Sequence, residues 1–263
     1  MKRFFLGLLV IGLFGVGPAV ADDNLRAAQS RLKEAGFYFG EVNGAASSET
    51  AAAITRYQIR NGLQISGQLD AMTAKSLGLA PAAPGNTMPP PAASSDTWRR
   101  LRRTDQQFLR QLNAREAAPP ARAEVRTAPS QPPKTETQTF VLSQERLRDY
   151  VGAFVLAGLS PGVTSELEFF ADRVSYFGDG IVGHERIRRD LCEYNRKWPD
   201  RRFWLAGEVR VEPRADSRLR VTFPIRYELR NGSKRSSGKV LKTLVVEVTG
   251  EDLQIVGVNE RKA

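Results

Sequence analysis

The 263-residue chain holds one cysteine, Cys192, and one histidine, His184. A catalytic zinc needs about three protein ligands, drawn mostly from those two residue types. Zinc hydrolysis is therefore excluded, and neither a metal nor another cofactor is expected. A single cysteine closes no internal disulfide, and Cys192 is expected to behave as a small buried apolar residue. Long apolar runs are as scarce. Phe4 to Val16 gives only 13 such residues, short of the roughly 20 that span a bilayer. Acidic pairs of the glycosidase kind are not evident either. Glu166 with Glu168, or Glu185 with Asp190, fall on predicted helix surfaces, where carboxylates are normally solvated.

What is present begins with a leader. Lys2 and Arg3 precede the apolar run, and Gly17-Pro18 and Ala19-Val20-Ala21 follow it. That order of charge, apolar core and small residues predicts an export signal over residues 1–21, cleaved after Ala21. The chain carries a net +10. Removing Lys2 and Arg3 with the leader takes this to +8, spread over the chain rather than gathered in one run. For an exported protein the acidic partners are wall carboxylates, anionic polymers or lipid head groups, and nucleic acid is excluded by compartment.

The most specific pattern lies between Asn24 and Leu79. Three short helices are predicted there, Leu25 to Ala35 ended by Gly36, Thr50 to Asn61 ended by Gly62, and a third opening between Asp70 and Thr73. Gln29 and Leu32 fall in the first; Gly36-Phe37-Tyr38-Phe39-Gly40 and Asn43-Gly44 form the loop after it. Tyr57-Gln58, Asn61-Gly62-Leu63 and Gly67-Gln68-Leu69-Asp70 complete the series. This stretch resembles the type 1 peptidoglycan-binding domain, a three-helix module attached to many bacterial cell-wall enzymes. It departs at Asn43, where the family has Asp, and at Ala45 to Ser48. The resemblance implies peptidoglycan as partner and Phe37, Tyr38, Asn43, Gly44, Tyr57 and Gln58 as ligand-binding residues, through ring stacking on sugars and amide hydrogen bonds. The enzymes that carry such modules include L,D-transpeptidases, yet the sequence around Cys192 lacks their Ser-His-Gly-Cys context.

Ten of the fifteen prolines fall within residues 80–139, a composition that reads as a linker over 81–139. Inside it, residues 96–118 predict a basic amphipathic helix. Trp98, Leu101, Phe108 and Leu112 share one face, with Arg99, Arg100, Arg102 and Arg103 around them. Those arginines suit an anionic surface.

From residue 140 the pattern changes to a second domain. A helix carrying Leu147, Tyr150, Val151, Phe154 and Val155 is followed by a short one from Thr164 to Phe170, a strand at Arg173 to Phe177, and a turn at Gly178-Asp179-Gly180. A third helix opens at Gly183, with Ile187, Leu191, Tyr194 and Trp198 on one face. After Pro199 the period switches to two, with Asn231-Gly232 as a hairpin turn. Pro224 cannot donate to a ladder, so its strand is expected to lie at an edge or to bulge there. Helices followed by a long meander make an α+β domain in which one curved antiparallel sheet wraps its helices. The order of elements, with Phe169 to Phe177 before the glycine turn and Tyr194 to Pro199 closing the third helix, looks like the cone-shaped nuclear transport factor 2-like fold, also called cystatin-like. That likeness implies a pocket between sheet and helices, and often pairing of two copies through the open sheet face, for which the Val245 to Val248 strand is suited.

The chain is thus read as multidomain: a module at 22–80, a linker, and a cone domain at 140–263. Within the cone, Asp172, Tyr176 and His184 are the catalytic candidates. The expected function is that of an exported, non-enzymatic wall-binding protein whose second domain holds a small molecule or a protein across a flexible tether. The alternative is an exported isomerase or hydratase localised by its module.

Overall fold

The computed structural model describes residues 22–80, 95–103, 144–160, 162–249 and 252–263. The leader, residues 81–94, and residues 104–143 with the remainder of the predicted basic helix lie outside the described residues.

Three capped helices come first. The Asp22 carboxylate accepts from the N–H groups of Asn24 and Leu25 at the start of α1 (Asp23–Glu34). Ser47 does the same for Thr50 in α2 (Ser48–Arg60), and Asp70 for Thr73 in α3 (Ala71–Ser76). Each cap satisfies a donor that the helix itself leaves without a partner. Gly36 and Gly62 follow the first two helices with φ of 78° and 62°, a left-handed stop that other residues adopt only at a cost. Leu25, Ala28 and Leu32 of α1 pack on Ala53 and Ile54 of α2 and on Leu77, giving the module a small core.

The second domain runs α5 (Gln144–Gly158), α6 (Thr164–Leu167), β1 (Phe170–Tyr176), β2 (Ile181–Val182), α7 (His184–Lys197), β3 (Asp200–Leu205), β4 (Arg210–Arg214), β5 (Arg218–Asn231), β6 (Lys234–Thr249) and β7 (Asp252–Lys262). Its strands form one curved, unclosed sheet in the order β2-β1-β7-β6-β5-β3, with β4 also paired to β5. All neighbours are antiparallel except β1 and β7. Helix α5 packs on Phe169 and Phe170 through Phe154.

Two expectations are corrected. The strand of Pro224, β5, is neither an edge nor bulged there: it is interior to the sheet and its ladder to β6 is continuous. The Pro224 carbonyl accepts from Ala206 N–H at 2.9 Å, so its missing donor points at the gap between β3, which ends opposite Ile225, and β4, which begins opposite Thr222. Proline is accommodated because no ladder partner is needed there. Cys192 is exposed. Ile187 and Leu191 define the buried stripe of α7, and the residue after Leu191 turns about 100° away from it.

The picture of two modules on a flexible tether is also corrected. Helix α4 (Ser95–Arg103) docks between the domains, with Trp98 and Leu101 fully buried in a core shared by Ala52, Ile59 and Ile65 of the module and by Leu147, Tyr150 and Val151 of α5. Gly152 permits the close approach, since a Cβ there would lie 2.1 Å from the Ile59 side chain. Ile65 N–H donates to the Phe203 carbonyl at 2.9 Å, and Gln64 bridges to Trp204. The module thereby covers the free edge of β3, a surface proteins otherwise have to protect. At the centre Arg56 Nε donates to Asp149 at 3.0 Å, with side chains 1% and 0% exposed. Arg60 adds a 3.1 Å bond to the same carboxylate and pairs with Glu145.

Breaking this cluster leaves a buried charge uncompensated. Asp149→Ala is expected to cost about 3–5 kcal/mol, measured by denaturant unfolding, while Arg56→Met with Asp149→Leu recovers most of the loss. A cost below about 1 kcal/mol for Asp149→Ala would show that the pair does not hold the domains.

Candidate functional site

In the module, two buried glutamines hold the loops. Gln29 Oε1 accepts from the N–H groups of Asn43 and Gly44 at 3.0 and 2.8 Å, and its Nε2 donates to the Ala45 carbonyl and Thr50 Oγ1. Gln58 repeats the device one helix later. Its Oε1 accepts from Ser66 and Gly67 N–H, and its Nε2 donates to the Gln68 carbonyl and Thr73 Oγ1. The amide groups are saturated, so Gln58, expected at the ligand, shapes the loop instead. Tyr38 is buried with its hydroxyl on the Glu41 carbonyl, and Gly44 is buried as well. The Tyr57 hydroxyl is taken by Ser76. Phe37 remains half-buried, edge-on to Tyr57 at 5.6 Å and beneath the Arg60 guanidinium, and Asn43 is exposed. Of the six expected ligand residues, these two present chemistry outward.

In the second domain the concave side of the sheet, α5 and α7 enclose a cavity of about 490 Å³. Along β5 the odd-numbered residues Ile225, Tyr227 and Leu229 face it, as period two requires. Tyr176 lines it and is 6% exposed; burial, then the nearby acidic groups, push its hydroxyl up to about 12. Asp172, four residues earlier, is exposed and does not reach the cavity. His184 Nε2 donates to the Phe170 carbonyl at 3.1 Å, which makes it a positioned helix-start residue outside the cavity. The three catalytic candidates therefore do not converge. Nor do Trp198 and Trp204 fill the space.

The group that sequence reading passed over is Glu166. Glu166 and Glu168 are expected as solvated helix carboxylates, but α6 is a single short turn laid across the cavity, and Glu166 lines it. Its carboxylate rests 3.2 Å from the position of a Cβ on Gly158 and makes no hydrogen bond or ion pair among the described residues. The other acids lining the cavity are paired, Asp179 and Asp190 with Arg186 and Glu260 with Lys242. Enclosure by protein raises the Glu166 pKa above the ordinary 4.5, against the pull of Lys242 and Arg201. Arg201 in turn is lowered by its own burial. Tyr194, raised by burial to about 12, and Phe177, held at φ 47°, form part of the cavity's mouth. The cavity thus offers apolar walls, tyrosine hydroxyls and one carboxyl without an ion pair among the described residues, its pKa raised by enclosure. No group of three or more metal-ligating side chains occurs among the described residues.

Helices seated in a curved, unclosed sheet around a cavity define the nuclear transport factor 2-like cone fold. The module is identified separately: residues 21–77 match the peptidoglycan binding domain family. Similar solved structures include a nuclear transport factor 2-like superfamily protein from Salmonella enterica, at 14% identity over 40% of this chain and 78% of that one, TM-score 0.34. Bd1075 from Bdellovibrio bacteriovorus is another, at 13% identity over 47% of this chain and 44% of that one, TM-score 0.38. No curated protein matches the chain.

Glu166 sets a pH dependence with a definite sign. A carboxyl whose folded pKa is raised binds its proton more tightly folded than unfolded, so its stabilisation is complete below 4.5 and is lost as pH rises through the folded value. Stability curves of the wild type and Glu166→Gln should therefore diverge toward neutral pH, the variant losing less. Parallel curves would show that Glu166 is solvated. In the module, Gln58→Ala strands two loop N–H groups and should lower stability by about 1–3 kcal/mol in denaturant unfolding.

Proposed function

We propose that the chain is an exported, peptidoglycan-binding protein that carries a small-molecule pocket on a rigid body. The observation that carries this reading is the peptidoglycan-binding module itself, its first loop held at Asn43 and Gly44 by Gln29, with Phe37 half-buried and Asn43 exposed. The predicted leader supports export. The wall is the partner, and the cavity around Glu166 takes a small organic molecule with an apolar body and a polar end. Catalysis by Asp172, Tyr176 and His184 is not part of the proposal, because they share no common point.

A second reading, an isomerase or hydratase localised by the module, is favoured by Glu166 alone. A carboxyl of raised pKa beside tyrosine hydroxyls can transfer a proton. The membrane has no place in the proposal. Arg102 is held by Asp252 and the Glu168 carbonyl, Arg99 by Glu168 and Arg100 by Ser48. The homodimer expected through Val245 to Val248 is not part of the proposal, because Val245 lies in the floor of a trough lined by arginines rather than on an apolar face.

The full chain should sediment with purified sacculi, and Phe37→Ala with Asn43→Ala should weaken retention by about tenfold, the order of a lost stacking and hydrogen-bond pair. Absence of the wild type from the pellet would overturn the wall-binding reading.

A further inference from the structure

Strand β5 has a second face. Its even-numbered residues point away from the cavity, and on that side lies an open trough of about 900 Å³ across β4, β5, β6, β7 and β1. The floor is short and uncharged: Thr222 pairs across to Thr243, Thr243 to Asn259, and Val245 to Gly257. Gly257 keeps it flat, since a Cβ there would meet Val245 at 3.2 Å. Arginines stand on both sides. Arg210, Arg218 and Arg220 rise from β4 and β5, and Arg173 and Arg261 from β1 and β7.

Two of these already hold carboxylates from the same face, Arg218 with Glu247 at 2.9 Å and Arg220 with Glu212 at 3.4 Å. Among the described residues, Arg173, Arg210 and Arg261 form no ion pair. The basic face also continues toward the module. Arg226 lies on the same side of β5 and stacks 3.9 Å from the Trp204 ring, and Trp204 bridges to Gln64. From Arg218 to Arg226 is about 26 Å of strand, and the trough is about 19 Å wide across its strands.

We propose that this trough is a second wall-binding site that takes the carboxylate-bearing stem peptides of peptidoglycan. Arginine forks match carboxylates in geometry as well as in charge, and Glu212 and Glu247 occupy the positions that ligand carboxylates would take. The hydroxyls of Thr222 and Thr243 and the Asn259 amide offer partners for peptide amides, which a bare phosphate polymer would leave unused. The inference rests on the wall-binding reading. Two sites on one rigid body bind one polymer far more tightly than either alone.

Sedimentation of the full chain with sacculi tests it. The triple variant Arg173→Ala, Arg210→Ala, Arg261→Ala, whose side chains form no ion pair among the described residues, should bind at least about tenfold more weakly. On sacculi whose carboxyl groups have been converted to amides, the wild type should fall to the level of the variant and the variant should not change. Glu212→Gln with Glu247→Gln frees two arginines and should bind more tightly. Equal retention of wild type and triple variant on untreated sacculi overturns the trough and leaves the module. A deficit that persists unchanged on amidated sacculi overturns it too, as does an arginine-dependent retention found only on phosphatidylglycerol vesicles. No retention of any form overturns the wall-binding reading along with it.

Discussion

The structure depends on a buried ion pair. Arg56 and Asp149 are removed from water at the junction of α2 and α5, a transfer that costs several kcal/mol per ion unless each charge is fully met. Arg60 and Glu145 complete the set. Because one geometry brings all four groups together, the pair selects an orientation more than it adds stability. The remaining contacts between the domains fit that orientation: α4 wedged over α5, Ile59 against Gly152, and Ile65 on the edge of β3.

That orientation ties the module to the sheet through β3 and so to β5, whose two faces serve different environments. Odd residues close the cavity and even residues carry the trough. The break between β3 and β4 at Pro224 leaves both faces of β5 in register, since the ladder to β6 is continuous from Arg218 to Asn231. A shift of one residue would exchange the two faces, placing arginines in the cavity and Tyr227 outside.

Much of this was legible in local sequence. The helix opening at Asp70, glycine stops, and the alternation after Pro199 each depend on neighbours within a few residues, and they give the three-helix module, the meander and the cone. The contact between the domains was not legible, because Arg56 and Asp149 are 93 residues apart and neither looks unlike a surface charge. Glu166 was hidden for the same reason: its environment comes from β6, α5 and α7, and its short helix carries no signal of burial. Gln58 was misassigned as a ligand group because sequence marks an amide without telling whether its hydrogen bonds are used internally. Cys192 was misplaced by composition, although the stripe through Ile187 and Leu191 puts it on the other side of the helix. Asp172 and Tyr176 alternate to the same side only in an ideal strand, and the register of β1 shifts between Phe170 and Ser175.

The central claim is that the wall module and the cone domain are one rigid body. Cys192 is exposed and is the chain's sole cysteine, so it can carry one spin label, with a second on a cysteine introduced at exposed Lys75. Pulsed electron resonance on the full chain should then give one narrow distance population, broadened when Asp149 is replaced by alanine. A broad distribution in the otherwise unaltered chain would mean that the module moves freely on a tether and would contradict the account.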